Sequence, residues 1–250
     1  MIDPAHTQAG HQVRTDWGPT GAAAIADGAD VAVVVDVLSF TTTVTVAVER
    51  DIAVHPFGWH DQRAEAYAEE LDATLAVGRF EALERPGSVS LSPASLTGVA
   101  GVDRLVLPSP NGSTISAALA ASGATVVAAC LRNAPAVAGW LRPRLDAGAV
   151  VAVVPAGERW ADGTLRPAAE DLWGAGAVLA GLEERGFSPE SRLARAAYRA
   201  VAGDLTGELT ACAGAQELIG KGFAADVAVA AGHGGSRVVP VLVRGAFVAG

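Results

Sequence analysis

The chain has 250 residues, 50% of them hydrophobic and 18% charged, with a formal net charge of −9. A chain of this length buries about 70% of the surface it exposes when unfolded, so it can build a core without disulfides or a structural metal, and its composition is not that of a disordered chain. The acidic balance and the absence of any Lys/Arg run argue against a nucleic-acid backbone binder, and apolar runs such as 31–35 and 149–154 fall far short of the ~20 residues of a membrane-spanning helix. Residues Met1 to His6 carry neither the basic nor the apolar stretch of a signal peptide. Cys130 and Cys212 lie in apolar surroundings and no Cys-x-x-Cys occurs, so a reduced, cytoplasmic setting is the expectation.

Taken in chain order, apolar runs alternate with Ala-rich helical stretches. The run 31–37 is rich in β-branched residues and predicts a buried strand, and 41–50 a helix that opens on small polar residues. A strand over 52–56, a charged helix over 61–71 and a strand over 74–77 follow. The Gly-, Pro- and Ser-containing stretch 78–97 predicts a loop with one short helix. Strands over 104–107, 125–130 and 149–154 alternate with helices over 113–121 and 134–145. A loop over 156–166 then leads into a long helix over 168–185. Continuous rather than alternating apolar strands in a βαβα rhythm predict a three-layer α/β/α fold with a mostly parallel sheet. After residue 188 the rhythm changes to helices over 189–201, 214–222 and 224–231, closed by a strand over 237–244. The shift near residue 186 marks either a helical subregion over 186–232 or one more layer of a single α/β domain spanning 1–250. The second reading is preferred.

Several tempting motifs fail. Gly174-Ala175-Gly176 sits inside a helix and lacks the third glycine of a dinucleotide loop, so close helix packing is the reading. Gly220-Lys221-Gly222 lacks the spacing and hydroxyl of a phosphate-binding P-loop. The five histidines form no metal-spaced pair.

Four polar clusters remain, each at the carboxyl end of a predicted strand, the edge where open α/β sheets bind ligands. The first is Asp36-Val37-Leu38-Ser39-Phe40-Thr41-Thr42-Thr43: a buried strand delivers a carboxylate, and hydroxyls with free N–H groups open the next helix. The second, Pro108-Ser109-Pro110-Asn111-Gly112-Ser113-Thr114, pairs an Asn-Gly turn with a helix start able to cradle an anion. The third, Cys130-Leu131-Arg132-Asn133-Ala134, offers a cation and an amide. The fourth joins the loop Ala156-Gly157-Glu158-Arg159 to Glu170-Asp171 in the first turn of a helix. Oxygen ligands without histidine suit a hard cation such as Mg²⁺.

Together these segments resemble the 2-phosphosulfolactate phosphatase family, Mg²⁺-dependent enzymes of coenzyme M biosynthesis. Asp36–Val44 is similar to its Asp-Val-Leu-Arg-Ala-Thr-Thr-Thr signature. Asn111-Gly112-Ser113, Asn133-Ala134, Ala156-Gly157, Glu170-Asp171-Leu172 and Ala175-Gly176 follow in the family's order. Glu217-Leu218, Gly222-Phe223, Asp226-Val227 and Val239-Pro240 resemble its closing segment. Two family arginines are replaced, by Ser39 and Thr114, which removes two cations able to clamp an anion; Arg79, Arg132 or Arg159 are the candidate substitutes.

The resemblance implies an α/β/α fold and a Mg²⁺-dependent phosphatase acting on a small anionic phosphate ester, 2-phosphosulfolactate or a related 2-phospho-acid. The alternative is a repurposed, non-catalytic member that binds a small anionic metabolite. On the catalytic reading Asp36, Glu170 and Asp171 hold the metal and carry the chemistry. Ser39, Thr41, Thr42, Asn111, Gly112, Ser113, Arg132, Asn133 and Gly157 bind substrate. Neither nucleic acid nor membrane is an expected partner; a homodimer is compatible with the sequence. Asp36, Asn111 and at least one of Glu170 and Asp171 are expected in one pocket because parallel strands share their carboxyl ends, with Arg132 within reach.

Overall fold

The computed structural model describes residues 2–58, 63–85 and 87–250. The strands are β1 (Val13–Thr15), β2 (Val31–Val35), β3 (Ala53–Gly58), β4 (Thr74–Leu75), β5 (Arg104–Ser109), β6 (Thr125–Ala129), β7 (Val151–Pro155), β8 (Glu158–Arg159), β9 (Leu165–Arg166), β10 (Pro240–Val243) and β11 (Ala246–Ala249). The helices α1 to α7 are Gly18–Ile25, Phe40–Val48, Arg63–Glu70, Arg79–Glu84, Pro93–Leu96, Gly112–Ala121 and Ala134–Asp146. Helices α8 to α12 are Ala169–Ala180, Pro189–Val201, Leu205–Ala211, Ala213–Gly220 and Ala224–Ala230. The start of the helix expected over 61–71 lies outside the described residues; Arg63–Glu70 is helical.

Nine strands form one sheet in the order β1-β7-β2-β6-β10-β11-β3-β5-β4. The groups β1-β7-β2-β6 and β3-β5-β4 are each parallel inside. The hairpin β10–β11 lies between them and makes antiparallel pairs on both sides and within itself. The mostly parallel sheet with helices on it and further helices near the C-terminus matches the fold class read from the sequence.

Period-two geometry explains why the central strands are apolar throughout. Val31, Val33 and Val35 face one core, and Ala32 and Val34 face the other; β6 and β7 divide in the same way. The first core contains residues of α7 to α12. The glycines of α8 are needed there: a Cβ on Gly174 would lie 2.7 Å from Val35 Cγ1, and one on Gly176 2.2 Å from the carbonyl oxygen of Ala194. Close packing is thus the role of the Gly174-Ala175-Gly176 motif.

The second core takes Ala32 and Val34 from one half of the sheet, Leu105 and Leu107 from the other, and Phe247 from the hairpin. Residues of α1, α2 and α6 fill it, so the sheet curls around these helices. All nine residues of α2 are buried. Its β-branched sequence has modest helix propensity, and burial carries the element. The hydroxyls of Thr43 and Thr45 donate back to the carbonyls of Ser39 and Thr41, at 2.8 Å each, which lets them enter an apolar environment.

Several elements exceed the sequence reading. β1 and α1 precede the first expected strand. The expected loop 156–166 contains the small β8–β9 ladder, and 78–97 contains two helices rather than one. The strand β1 was hidden by Arg14, which is buried yet donates to the carbonyls of Ile25, Asp27 and His11. Among the described residues no helix is long and apolar enough to cross a membrane.

Candidate active site

A cavity of about 220 Å³ opens where β2, β5 and β7 end, with Asp36, Ser39, Arg79, Asn111 and Glu158 in its walls. Asp36 follows β2 directly. Its Oδ1 accepts from the N–H of Phe40 at 3.0 Å and its Oδ2 from the N–H of Gly112 at 3.2 Å. The carboxylate therefore joins the starts of α2 and α6. Gly112 has no room for a side chain, since a Cβ would lie 2.2 Å from the Phe40 ring and 2.9 Å from Asp36 Oδ2.

The meeting of Asp36 with Asn111 and Gly112 is not a shared parallel edge. Three antiparallel pairings separate β6 from β3, so β5 runs opposite to β2 along the ladder. The curl of the sheet around α2 and α6 brings the end of β5 back onto Asp36. The expected neighbour is present, and the expected reason for it is corrected.

Glu158 is the second carboxylate of the cavity. It follows the turn at Gly157, whose φ is +67°, a conformation that glycine adopts readily. Asn111 donates from Nδ2 to Glu158 Oε2 at 3.1 Å and accepts at Oδ1 from Arg159 Nε at 3.2 Å. Burial first, then the Asp36 charge, pushes the Glu158 carboxyl up to about 7, against the pull of Arg166; burial first, with the Glu170 charge adding to it, raises Asp36 to about 6. Buried acids that lack full hydration and lie near other carboxylates favour the protonated form.

Asp171 is buried 134 residues away in sequence from its partner Val37, whose N–H it accepts at 2.7 Å on Oδ1; Oδ2 accepts from Gly157 N–H at 2.9 Å. It thereby fixes the backbone next to both Asp36 and Glu158. Burial first, then the Asp36 and Glu170 charges, raise its carboxyl well above the usual range. Glu170 is buried too, against α11, where a Cβ on Gly214 would lie 2.2 Å from its Oε1. Neither residue is in the cavity wall.

Arg79 is the cation of the cavity. Its Nε donates to Asp226 Oδ2 at 2.7 Å and its Nη2 to Ser39 Oγ at 2.5 Å, while Nη1 has no partner among the described residues. Asp226 is buried and also accepts from the hydroxyl of Ser92 and, at 3.2 Å, from the N–H of Ala94. A charge thus stands over Ser39.

Other expected ligands have different partners. Thr41 Oγ1 donates to the Asp36 carbonyl at 2.7 Å, and Thr42 Oγ1 to the Val37 carbonyl at 2.8 Å. Ser113 Oγ donates to the Leu107 carbonyl at 3.0 Å. Asn133 is fully buried, accepting from Cys130 N–H at 2.8 Å and donating to the carbonyls of Ala128 and Val238. Arg132 does not reach the cavity; it pairs with Glu49 at 3.2 Å, and the expectation placing it there is corrected. Glu158 and Asp226 were not among the expected site residues. The signal for Glu158 was its place one residue past the glycine turn that ends β7.

A family model for 2-phosphosulpholactate phosphatase matches residues 21–245. A protein of Deinococcus radiodurans named "Probable 2-phosphosulfolactate phosphatase" is 33% identical over 222 residues, 86% of this chain and 89% of that protein. The chain belongs to the 2-phosphosulfolactate phosphatase family. It is thereby a member of a family of phosphoric monoester hydrolases. The matched span contains Asp36, Arg79, Asn111, Glu158, Asp171 and Asp226, which come from six separate places along the chain. The guanidinium of Arg79 reaches the Ser39 hydroxyl from a different segment, α4.

Proposed function

We propose that this chain is a Mg²⁺-dependent phosphatase of a small organic phosphate, 2-phosphosulfolactate or a related 2-phospho-acid. The observation that carries the reading is the convergence of Asp36, Glu158 and Arg79 on one cavity. Two carboxylates and a partly unpaired guanidinium provide for a cation and a phosphoryl group side by side.

Among the described residues no three His, Cys, Asp or Glu side chains form a ready metal cluster. Mg²⁺ does not require one, because it is commonly held by one or two carboxylates with water and substrate phosphate completing its shell. The donor chemistry fits: Asp36 and Glu158 are oxygen donors, close enough for the Asp36 charge to raise the Glu158 carboxyl, and a cation relieves such repulsion. The pair Asp36–Glu158 would hold the ion, in place of the trio with Glu170 and Asp171. When bound, Mg²⁺ supplies charge neutralisation at phosphoryl oxygens and activation of water.

The protein's own residues do the rest. Arg79 donates from its free Nη1 to a phosphoryl oxygen, and Asp226 keeps the guanidinium aimed. Asn111 orients the Glu158 carboxylate. Asp171 acts as a positioning residue by fixing the backbone beside both carboxylates. Phe40 and Leu107 form an apolar wall that limits water around the phosphoryl group.

The test is phosphate release from a panel of 2-phospho-acids by pure protein with Mg²⁺ or with chelator. Turnover that needs Mg²⁺ and vanishes in Asp36→Asn is expected. Absence of any metal-dependent turnover would reject the proposal.

A further inference from the structure

Glu158 and Arg159 are consecutive residues, yet their side chains meet one amide. Asn111 Nδ2 donates to Glu158 Oε2 at 3.1 Å, and Asn111 Oδ1 accepts from Arg159 Nε at 3.2 Å. Asn111 is buried, whereas Arg159 is exposed and is not in the cavity wall. The far end of Arg159 is also fixed, because its Nη1 donates to the Gly163 carbonyl at 3.2 Å, at the tip of the β8–β9 hairpin. That tip is tightly bonded. The N–H of Trp160 donates to the Thr164 carbonyl and that of Gly163 to the Trp160 carbonyl, at 2.9 Å each, and Asp162 Oδ1 accepts from both the N–H and the hydroxyl of Thr164. A chain of hydrogen bonds thus runs from the hairpin tip through Arg159 and Asn111 to the Glu158 carboxylate. Arg166, opposite Glu158 in the ladder, acts on the same carboxyl by charge.

We infer that Arg159 is a positioning residue, which sets the end of the Asn111 amide that faces Glu158. The inference rests on the phosphatase reading for what the positioned carboxylate does. A primary amide has an accepting end and a donating end of nearly equal size. A guanidinium only donates, so Arg159 selects the oxygen and leaves Nδ2 to face the carboxylate. Turned over, the amide would set an oxygen against Glu158 and N–H donors against a cation, and both contacts would repel. With Arg159 removed, only the carboxylate still selects the amide orientation. The neighbouring N–H, that of Gly112, already holds Asp36. The start of α6 therefore serves both carboxylates of the cavity, Asp36 through the main chain and Glu158 through the Asn111 side chain. The second link is the one that Arg159 secures.

Asn111 and Asn133 are the two asparagines of the sequence, so asparagine-selective nitrogen labelling yields two side-chain amide pairs in an NMR spectrum, told apart by Asn111→Ala. Asn133, buried and bonded elsewhere, is the internal reference. In the metal-free protein, Arg159→Leu should move the Asn111 pair and draw its two proton shifts together, with the Asn133 pair unmoved. Arg159→Lys, which also only donates, should keep them apart. Arg159 is exposed, so folding is not at stake in either variant. Phosphate release from a 2-phospho-acid, followed against Mg²⁺ concentration, gives the functional arm. Arg159→Leu should raise the half-saturating Mg²⁺ concentration about tenfold and leave kcat at saturation within about twofold, and Arg159→Lys should restore most of the loss. In an Asn111→Ala background the same Arg159→Leu change should add less than about twofold, because the amide it acts through is gone. An Asn111 pair that stays in place in Arg159→Leu would overturn the inference. So would the full loss in the Asn111→Ala background, which would make Arg159 a through-space charge only. If wild type releases no phosphate while Arg159→Leu moves the Asn111 pair, the positioning of the amide stands and the phosphatase reading fails. If wild type turns over and Arg159→Leu has the same metal requirement, the phosphatase reading stands and this inference fails.

Discussion

Arg79 shows how one side chain can be fixed by groups drawn from distant parts of the chain. Asp226 on α12 holds its Nε and Ser39 its Nη2, so little freedom remains to be lost when an anion arrives. Replacing Arg79 with Gln removes a charge-assisted contact worth about 1.5–3 kcal/mol, which predicts roughly ten- to hundredfold weaker inhibition by inorganic phosphate. Arg79→Lys should restore only part of this, because an ammonium cannot keep both partners and still reach the anion. By contrast, Thr42→Val should leave phosphate inhibition unchanged and lower stability by about 1–3 kcal/mol in urea unfolding, since it strips the buried Val37 carbonyl of its partner. His55 carries a pH prediction. Burial first, then the Arg104 charge, holds its imidazole below the usual value of about 6.5. The folded chain thus binds fewer protons there than the unfolded one, so this contribution to stability is whole above about pH 6.5 and is lost as the pH falls through the lower folded value. His55→Gln should flatten the acid-side decline in Tm; an unchanged profile would remove His55 as a contributor.

At the scale of elements, the hairpin β10–β11 carries the most consequence for its size. Eight residues join two parallel half-sheets, and Phe247 packs edge to face on Phe40 at 6.2 Å, beside the Asp36 loop. Phe247→Ala should cost about 3–5 kcal/mol and also lower turnover, because Phe40 N–H holds Asp36. Gly112→Ala tests the same place from α6. Overpacking against Phe40 predicts about 1–3 kcal/mol lost, together with displacement of Asp36 and loss of activity. Elements that carry a local pattern were legible in the sequence. The Val-rich run before Asp36 reads as a buried strand, and the following hydroxyls as a helix start. The direction of a hydroxyl was not legible, because Thr41 and Thr42 satisfy backbone carbonyls exactly where free phosphate ligands would have the same sequence. Asp171 was read as a metal ligand for a similar reason: its partners are N–H groups 134 and 14 residues away.

For the whole molecule, the curl of the sheet decides which residues meet. A parallel sheet was legible from continuous apolar strands alternating with helices. The central antiparallel hairpin was not, since only long-range pairing, Val241 with Val127 and Phe247 with Val54, places it there. That pairing reverses β5 relative to β2, and the shared core around α2 and α6 returns Asn111 to Asp36. The resulting site gathers a carboxylate that follows β2, one that opens β8 and an arginine from α4. The most direct measurement is the Mg²⁺ dependence of phosphate release by wild type, Glu158→Gln and Glu170→Gln. The account predicts that Glu158→Gln raises the half-saturating Mg²⁺ concentration tenfold or more, while Glu170→Gln leaves it within about twofold. A metal requirement moved by Glu170→Gln and untouched by Glu158→Gln would contradict it.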